Sequence, residues 1–320
     1  MLQKIHYWCI YLTVICYIIR SSDANLIEEC PPPEDNYPCY CEEEEEMVVH
    51  CNYLNESKQI QNAFNKLSGY KIFKVSFWKN EIDVIKSDMF RGLSIKQVVF
   101  TNSSVRLESP QFVGLESSLN RLTFLSSFDK DTPMETWSVE HLEILKEMRF
   151  DRNEIKILKN SWLSSSGPVL RSLTFSECQI EKLEDKVFSK MDSLTTLFLT
   201  DNEITAVSRS MFPRPAENLR SIDLNGNKLQ TLPDDIFKDM PSLKSIDLGR
   251  NLLKTVSEST WSFIVESFSR VILEDNPIKC DKSLKWISKK DLPKTFTGKC
   301  SAPAKLKNRP IRNLTPADFY

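Results

Sequence analysis

The most chemically distinctive residues of the sequence are four closely spaced cysteines, Cys30, Cys39, Cys41 and Cys51. Thiols at such spacing either form disulfides or bind a metal ion. The Cys-x-Cys pair is poor zinc spacing, whereas a tight, even-numbered group is typical of a disulfide framework in an exported chain. We therefore predict disulfides in this segment and no metal site.

Residues 1–24 have the pattern of a secretory signal peptide. A lysine lies near the start, and the apolar run at residues 7–19 is too short for a comfortable membrane span. Residues 22–24 offer small side chains where a signal peptidase prefers them. Cleavage would remove Cys9 and Cys16; an uncleaved N-terminal anchor is the alternative. No second apolar run of membrane length follows, so we expect a secreted, extracellular chain without a membrane span after signal removal.

The sequence contains little that could support catalysis. Beyond the signal segment the histidines are His50 and His141, and neither lies in a recognisable catalytic motif. We find no Gly-rich phosphate loop, nucleophile elbow or His-x-x-x-His pair. The seven glycines of the chain also leave few positions for phosphate loops or mobile lids. We predict that the protein is not an enzyme and needs no cofactor.

The charge of the chain is nearly balanced, with a formal net charge of -2. This balance gives no reason to expect nucleic acid or an anionic membrane surface as a partner. The glutamates at 42–46 form a local acidic run. We interpret this run as a solvated loop; a patch for a basic partner or for calcium is the alternative.

A repeated apolar pattern organises the rest of the chain, with a period of about 24 residues. Apolar residues occupy the first, fourth and sixth positions of each unit. The first positions are Ile72, Ile95, Leu119, Leu145, Leu170, Leu194, Leu219, Leu243 and Phe268. Alternation at the fourth and sixth positions predicts a half-buried strand in every unit. A fixed period in this range predicts a solenoid, in which each turn buries its apolar edge against its neighbours.

The ninth position of each unit is asparagine in most units. The residues there are Asn80, Ser103, Ser127, Asn153, Cys178, Asn202, Asn227, Asn251 and Asn276. A buried asparagine amide can satisfy backbone groups where the chain leaves the strand, because it carries both a donor and an acceptor. We interpret Cys178 as a buried structural thiol; a reactive or intermolecular thiol is the alternative.

Residues 72–276 resemble the extracellular type of leucine-rich repeat, and residues 30–51 resemble the N-terminal cap of such proteins. The resemblance implies an α/β horseshoe with a concave parallel sheet, an irregular or short-helical convex side and disulfide caps at both ends. It also implies that Cys30 pairs with Cys41 and Cys39 with Cys51.

The segment from Asn276 to Leu306 resembles the matching C-terminal cap. That cap commonly has four cysteines, and Lys282 stands where the second would be. We therefore expect one bridge to be missing and the Cys280–Cys300 bridge to remain. We divide the chain into the signal peptide (1–24), an N-terminal cap (25–71), eight repeats (72–267), and the last strand with its cap (268–320). The irregular stretch at 128–142 predicts a longer convex excursion, with a short helix around 138–145.

The concave sheet is the predicted working surface, because a solenoid usually acts through its face. Aromatic and arginine side chains among small polar ones are what binding hot spots use. The candidate partner-binding residues are Trp78, Val99, Leu125, Arg149, Asp151, Arg171, Phe198, Asp223 and Asp247. The alternative is that some of them only pack against sheet neighbours.

Three sequons, at Asn55, Asn102 and Asn313, predict N-glycosylation. A glycan on Asn102, just after the second strand, would block part of the concave edge.

The Pro-rich cap, the Ile60 to Phe64 segment and the chain length also resemble small secreted arthropod leucine-rich proteins. These are likened to the non-catalytic subunit of a shrimp luciferase complex, and the resemblance implies a carrier or stabilising subunit. We favour a protein-binding module for an extracellular ligand or receptor in signalling, adhesion or immunity. A non-catalytic subunit of a secreted enzyme complex is the alternative. A matrix component is disfavoured, because no Ser-Gly attachment cluster occurs.

Overall fold

The computed structural model of the protein describes residues 26–43, 45–128, 139–163 and 169–320. The predicted signal peptide and most of the predicted excursion at 128–142 lie outside these residues. Among the described residues, no helix is long and apolar enough to cross a membrane.

Strands dominate the fold, and every repeat contributes one of them at its apolar alternation. In chain order they are β1 (Tyr40–Glu43), β2 (Met47–Asn52), β3 (Lys71–Trp78), β4 (Glu81–Ile85), β5 (Ser94–Thr101), β6 (Ser104–Leu107), β7 (Arg121–Leu125), β8 (Glu147–Asp151), β9 (Ile157–Leu158), β10 (Ser172–Ser176), β11 (Lys182–Leu183), β12 (Thr196–Phe198), β13 (Ser221–Asp223), β14 (Ser245–Asp247), β15 (Arg270–Ile272) and β16 (Thr295–Thr297). The α-helices are short: α1 (Pro33–Asn36), α2 (Ser57–Phe64), α3 (Asn160–Leu163) and α4 (Glu258–Trp261).

Twelve strands form one large sheet in the order β1-β2-β3-β5-β7-β8-β10-β12-β13-β14-β15-β16. β1 and β2 are antiparallel, and every later neighbour pair is parallel, as in β3 with β5. The smaller strands form two-stranded parallel sheets, β4 with β6 and β9 with β11. The predicted α/β solenoid with a parallel sheet and disulfides near both ends is confirmed.

A column of stacked phenylalanines runs through the N-terminal half of the core. Phe77, Phe100, Phe124, Phe150 and Phe175 occupy the sixth position of five consecutive units, and all are fully buried. Neighbouring rings stack almost parallel, with centroids 4.6 Å apart between Phe77 and Phe100 and 4.8 Å apart between Phe150 and Phe175. Because the period of the repeat matches one turn of the solenoid, identical side chains fall directly on one another.

A ladder of buried amides holds the turns together. Asn227 donates from Nδ2 to the carbonyl of Leu199 at 2.8 Å and accepts the amide of Ile204 at Oδ1 at 3.0 Å. Asn251 bonds Leu224 and Leu229 in the same way. The predicted role of the ninth position is therefore confirmed. Each amide satisfies backbone groups of the preceding turn that would otherwise be buried without partners.

Both ends of the solenoid are closed. At the N-terminus α2 places Ile60, Ala63 and Phe64 on one face, and Phe64 packs against Phe77 and Phe90. Disulfides join Cys30 to Cys41 and Cys39 to Cys51. At the C-terminus a disulfide joins Cys280 to Cys300. These three pairs are the ones that the resemblance implied.

The short helix expected around 138–145 is wrong for the described residues of that segment. Residues 139–145 form successive turns, with the amide of Leu142 bonded to the carbonyl of Val139 and that of Leu145 to Leu142. These three side chains are buried. A spacing of three residues suits i-to-i+3 turns rather than the 3.6-residue period of an α-helix.

Candidate binding surface on the concave sheet

The strand register aligns the outward side chains into two columns. In the first column the paired residues run Ser76, Val99, Thr123, Arg149, Thr174, Phe198, Asp223, Asp247 and Ile272. In the second they run Trp78, Thr101, Leu125, Asp151 and Ser176. Parallel strands lie about 4.8 Å apart, so each column is a continuous row of side chains. Arg171 lies outside both columns, at the edge where the strands begin.

The N-terminal end of this surface carries an aromatic cluster centred on Trp78. The rings of Trp78 and Tyr53 meet edge to face with centroids 4.9 Å apart. The ammonium of Lys79 lies 4.5 Å from the centre of the Trp78 ring. Tyr53 is 64% exposed, and Val99 and Leu125 continue the apolar surface as half-buried side chains. Trp78 is therefore held in place by its neighbours while part of it faces solvent.

The N-terminal cap extends this cluster, which the sequence analysis did not identify. His50 pairs with Ser76 and Asn52 with Trp78 across β2 and β3. The His50 ring stacks on Tyr40 at 4.8 Å. The alternation of apolar and polar residues in β2 indicates this arrangement. Val49 and Cys51 are buried, and His50 and Asn52 alternate with them on the outward face.

The imidazole of His50 is set in a mixed environment. Burial lowers the pKa of His50, against the opposing effect of Glu42, whose carboxylate lies 3.3 Å from Nε2. A neutral imidazole that stacks on Tyr40 adds a flat, polar-edged surface beside the aromatic cluster. Nothing about the pair resembles a catalytic dyad with a nucleophile.

The middle of the surface is charged but internally paired. Arg149 and Asp151 belong to different columns of the same strand, and Arg149 Nε donates to the Asp151 carboxylate. The Asp151 side chain is largely buried, while Arg149 is exposed. Thr174 is only 7% exposed. It can contribute little to a partner contact.

In the C-terminal part of the surface, Phe198 is followed by two aspartates in the same column. Phe198 lies beside Asp223, and Asp223 lies beside Asp247 on adjacent strands. Asp247 accepts hydrogen bonds from Asn225 Nδ2 at 3.1 Å and from the Gly249 amide at 3.0 Å. Arg270 lies 3.7 Å from its other oxygen. Asp247 is thus fully engaged within the sheet.

Asp223 differs from Asp247 because no cation among the described residues lies within ion-pairing distance of it, although the charge of Arg270 acts on it from farther away. It accepts the backbone amide of Asn225 at 2.9 Å. Burial raises the pKa of Asp223, the Asn225 bond opposes this, and the like charge of Asp247 adds to the rise.

The remaining chemically distinctive residues serve the core or lie away from this surface. Cys178 is a buried free thiol that donates to the Phe150 carbonyl at 3.2 Å, and burial raises its pKa to about 12. No group of three or more His, Cys, Asp or Glu among the described residues could hold a metal ion. The sequon residues Asn55, Asn102 and Asn313 are exposed, and their glycosylation stays a prediction.

Comparison with known proteins agrees with this architecture. A leucine rich repeat family profile matches residues 168–215 and 217–269, and a BspA type leucine rich repeat region profile matches residues 58–166. The chain is a leucine-rich repeat protein. No curated protein matches it.

Among solved structures, the chain is similar to one from the crystal structure of a TLR13–ssRNA13 complex. The TM-score is 0.62 at 21% sequence identity, and the match covers 71% of this chain. It spans only 32% of the other chain's length. At this identity the likeness concerns the fold alone.

Proposed function

We propose that the protein is a secreted, non-catalytic binding module that holds an extracellular protein ligand on its concave sheet. The observation that carries the proposal is the partly exposed aromatic pair of Trp78 and Tyr53 with the ammonium of Lys79 beside it. Val99 and Leu125 continue this apolar surface. Large, rigid aromatic side chains with a nearby cation are the groups that dominate protein interfaces.

The charge of the two columns favours a protein over a nucleic acid. Between Ser76 and Ile272 the columns contain one basic residue, Arg149, and three acidic ones, Asp151, Asp223 and Asp247. A phosphate backbone needs cations to neutralise it, and this surface offers the opposite charge. The RNA in the neighbouring structure's complex therefore does not transfer to this sheet.

The disulfides support secretion, because such bonds persist in oxidising compartments. Secretion also agrees with the signal-like pattern of residues 1–24. It exposes the concave sheet to extracellular proteins, among which the ligand is to be sought.

A two-stage capture experiment tests the proposal. The protein, produced through a secretory host, is immobilised and exposed to native extracellular fluid, and retained proteins are identified by mass spectrometry. The same capture is then repeated with the variant Trp78→Ala/Phe198→Ala. We expect a defined ligand to be retained by the parent protein and lost with the variant.

A matched control removes two exposed apolar side chains elsewhere. Phe263 and Leu252 are 58% and 44% exposed and lie outside the two columns, so Phe263→Ala/Leu252→Ala should retain the ligand. Equal retention by the parent protein and the concave variant, with the variant folded, would refute the concave site. Retention of a catalytic chain in fixed stoichiometry would identify the protein as the subunit of an enzyme complex instead.

A further inference from the structure

The nearly balanced net charge conceals a strong separation of charge along the solenoid. Residues 26–70, which include the N-terminal cap, contain ten acidic and two basic residues. Residues 279–320, which form the C-terminal cap, contain eleven basic and three acidic residues. One end of the molecule is therefore acidic and the other basic, although the whole chain has a pI of about 6.1.

Three lysines of the C-terminal cap lie on one exposed face. Two consecutive 3-10 turns, Lys282–Leu284 and Ile287–Lys289, bury Leu284 and Ile287 against the last repeats. Trp286 anchors them, because its Nε1 donates to the carbonyl of Val256 at 3.0 Å. The three lysines alternate with these buried side chains: Lys282 and Lys289 are exposed, and Lys285 is half-buried.

Two of these lysines converge on one aromatic residue. The ammonium of Lys285 lies 2.6 Å from the Tyr320 hydroxyl and 4.5 Å from the centre of its ring. The hydrogen bond and charge of Lys285, followed by the charge of Lys289, lower the pKa of Tyr320. The two ammonium groups therefore act on the same small region of surface.

A row of cations leads from the repeats to this face. Backbone hydrogen bonds join Lys244 to Arg220 and Ser269 to Lys244, and Lys294 takes the equivalent position immediately before β16. Arg312 donates to the carbonyl of Lys294. Arg220, Lys244, Lys294 and Arg312 are all exposed.

Two of the three acidic residues of the cap are engaged by partners outside this surface. Asp281 is bonded by the amide and hydroxyl of Ser283, and Asp318 pairs with Arg309. Within the described part of the chain, no carboxylate lies within ion-pairing distance of Lys282, Lys285, Lys289 or Lys294. Like charges collected without counter-charges repel one another, and a bound polyanion relieves that repulsion.

We propose that this basic surface, made of Lys282, Lys285, Lys289, Lys294, Lys244 and Arg312, is a binding site for a sulfated polysaccharide. The cap contains nine lysines and two arginines. Ammonium groups are compact point charges without a fixed hydrogen-bonding geometry, so they can pair with sulfates spaced along a flexible polysaccharide. A single-stranded nucleic acid would need exposed aromatic rings for its bases. Trp286, Phe296 and Phe319 are buried, so Tyr320, which is 82% exposed and contacted by Lys285, is the single exposed ring among residues 279–320 and cannot hold a row of bases.

Affinity for heparin tests the site directly, because a chain of net charge -2 has no general attraction for a polyanion. The parent protein is compared with Lys282→Gln/Lys285→Gln/Lys289→Gln and with the matched variant Lys182→Gln/Lys186→Gln/Lys190→Gln. The control removes the same charge from exposed lysines of the fifth repeat. The readouts are the salt concentration that elutes each protein from immobilised heparin and the dissociation constant for a heparin oligosaccharide.

We expect the parent protein to bind heparin and the cap variant to bind it about tenfold or more weakly, with a shallower salt dependence. The control and the concave variant Trp78→Ala/Phe198→Ala should bind as the parent does, which separates this site from the concave one. Three results would overturn the proposal. The two lysine variants could weaken binding equally, or a single-stranded polynucleotide of matched charge could compete as well as heparin. Finally, sedimentation without heparin could show salt-sensitive, head-to-tail association, which would make a second copy's acidic cap the occupant.

Discussion

The side-chain oxygen of Asn202 accepts the backbone amide of Cys178, one turn back in the solenoid, at 2.9 Å. The same oxygen accepts the amide of Ile180 at 3.1 Å, and Nδ2 donates to the carbonyl of Phe175 at 2.8 Å. One buried amide thus satisfies three backbone groups of its neighbour. Consecutive turns are joined by polar contacts as well as by apolar packing.

The variant Asn202→Ala should destabilise the protein strongly. It leaves two amides and one carbonyl buried without partners, and each such group costs about 1–3 kcal/mol. We expect the free energy of unfolding, measured by chemical denaturation, to fall by about 3–5 kcal/mol. Asn218→Ala is the control. Asn218 is exposed and makes one hydrogen bond, to the Asp192 carbonyl. Asn218→Ala should therefore lower the free energy of unfolding by no more than about 0.5 kcal/mol.

If both asparagine variants change the free energy of unfolding by similar small amounts, the ladder does not hold the turns together. The apolar stack would then carry the stability alone.

The thiol of Cys178 should be inert in the folded protein. Its Sγ donates to two carbonyls, those of Phe150 and Ser176, and its pKa is raised to about 12 by burial, so little nucleophilic thiolate forms. We expect iodoacetamide to leave Cys178 of the chain 25–320 unlabelled under native conditions. Denaturant without reductant should expose this thiol to modification, as detected by mass spectrometry. Rapid native labelling would place the thiol at an accessible surface.

The same residue should make stability depend on pH in alkaline solution. The folded pKa lies above the unfolded value of about 8.5, so the folded state binds the proton more tightly. Its stabilising contribution is complete below about pH 8.5 and is lost as the pH rises toward about 12, at up to about 1.4 kcal/mol per pH unit. Denaturation of the parent protein and Cys178→Ser across this range measures the effect as a difference. Parallel pH profiles for the two proteins would contradict it.

Phe124 and Phe198 should respond very differently to truncation, although both lie on the large sheet. Phe124 is fully buried between Phe100 and Phe150, so Phe124→Ala should cost about 3–5 kcal/mol. Phe198 is half-buried on the concave side, and Phe198→Ala should cost about 1 kcal/mol or less. Denaturant midpoints of the two variants check this contrast. A large loss for Phe198→Ala would mean that this ring supports the sheet and is no test of ligand binding.

The fold was predictable because each repeat has an apolar edge that it can bury only against a neighbouring repeat. Nine units with apolar residues at fixed positions leave little choice but stacked turns, and the phenylalanine run from Phe77 to Phe175 shows which side is the core. The two concave columns follow from the alternation alone, since the side-chain period of a strand is two.

Other features depend on contacts that one sequence does not display. The residue that leaves each strand adopts left-handed backbone, as Lys79 (φ 52) and Glu177 (φ 54) do, yet lysine and glutamate carry no preference for it. The basic surface of the C-terminal cap was hidden by a balanced net charge. A count by segment shows the excess of lysines, and the fold adds that no carboxylate among the described residues pairs with Lys282, Lys285, Lys289 or Lys294.

The charged side chain of Asp223 should lower the stability of the folded protein at neutral pH and strengthen ligand binding. Burial and the neighbouring Asp247 raise its pKa, so the folded state holds a proton more tightly than the unfolded chain. The contribution of Asp223 to stability is therefore greatest below its unfolded pKa of about 3.9, and it declines as the pH rises through the higher pKa of the folded state. At neutral pH the charged form is therefore the unfavourable one within the sheet.

The variant Asp223→Asn removes that charge and keeps a side chain able to accept the Asn225 amide. We expect a small gain in the free energy of unfolding at neutral pH, below about 1 kcal/mol because solvent still screens the site, and a smaller difference in acid. The same variant should also weaken binding of the ligand to the concave sheet, if the Asp223 carboxylate accepts a hydrogen bond from that ligand. Measuring both the denaturation profile and ligand retention decides the matter. A variant that gains stability and keeps full binding would show that Asp223 is a structural compromise with no part in recognition.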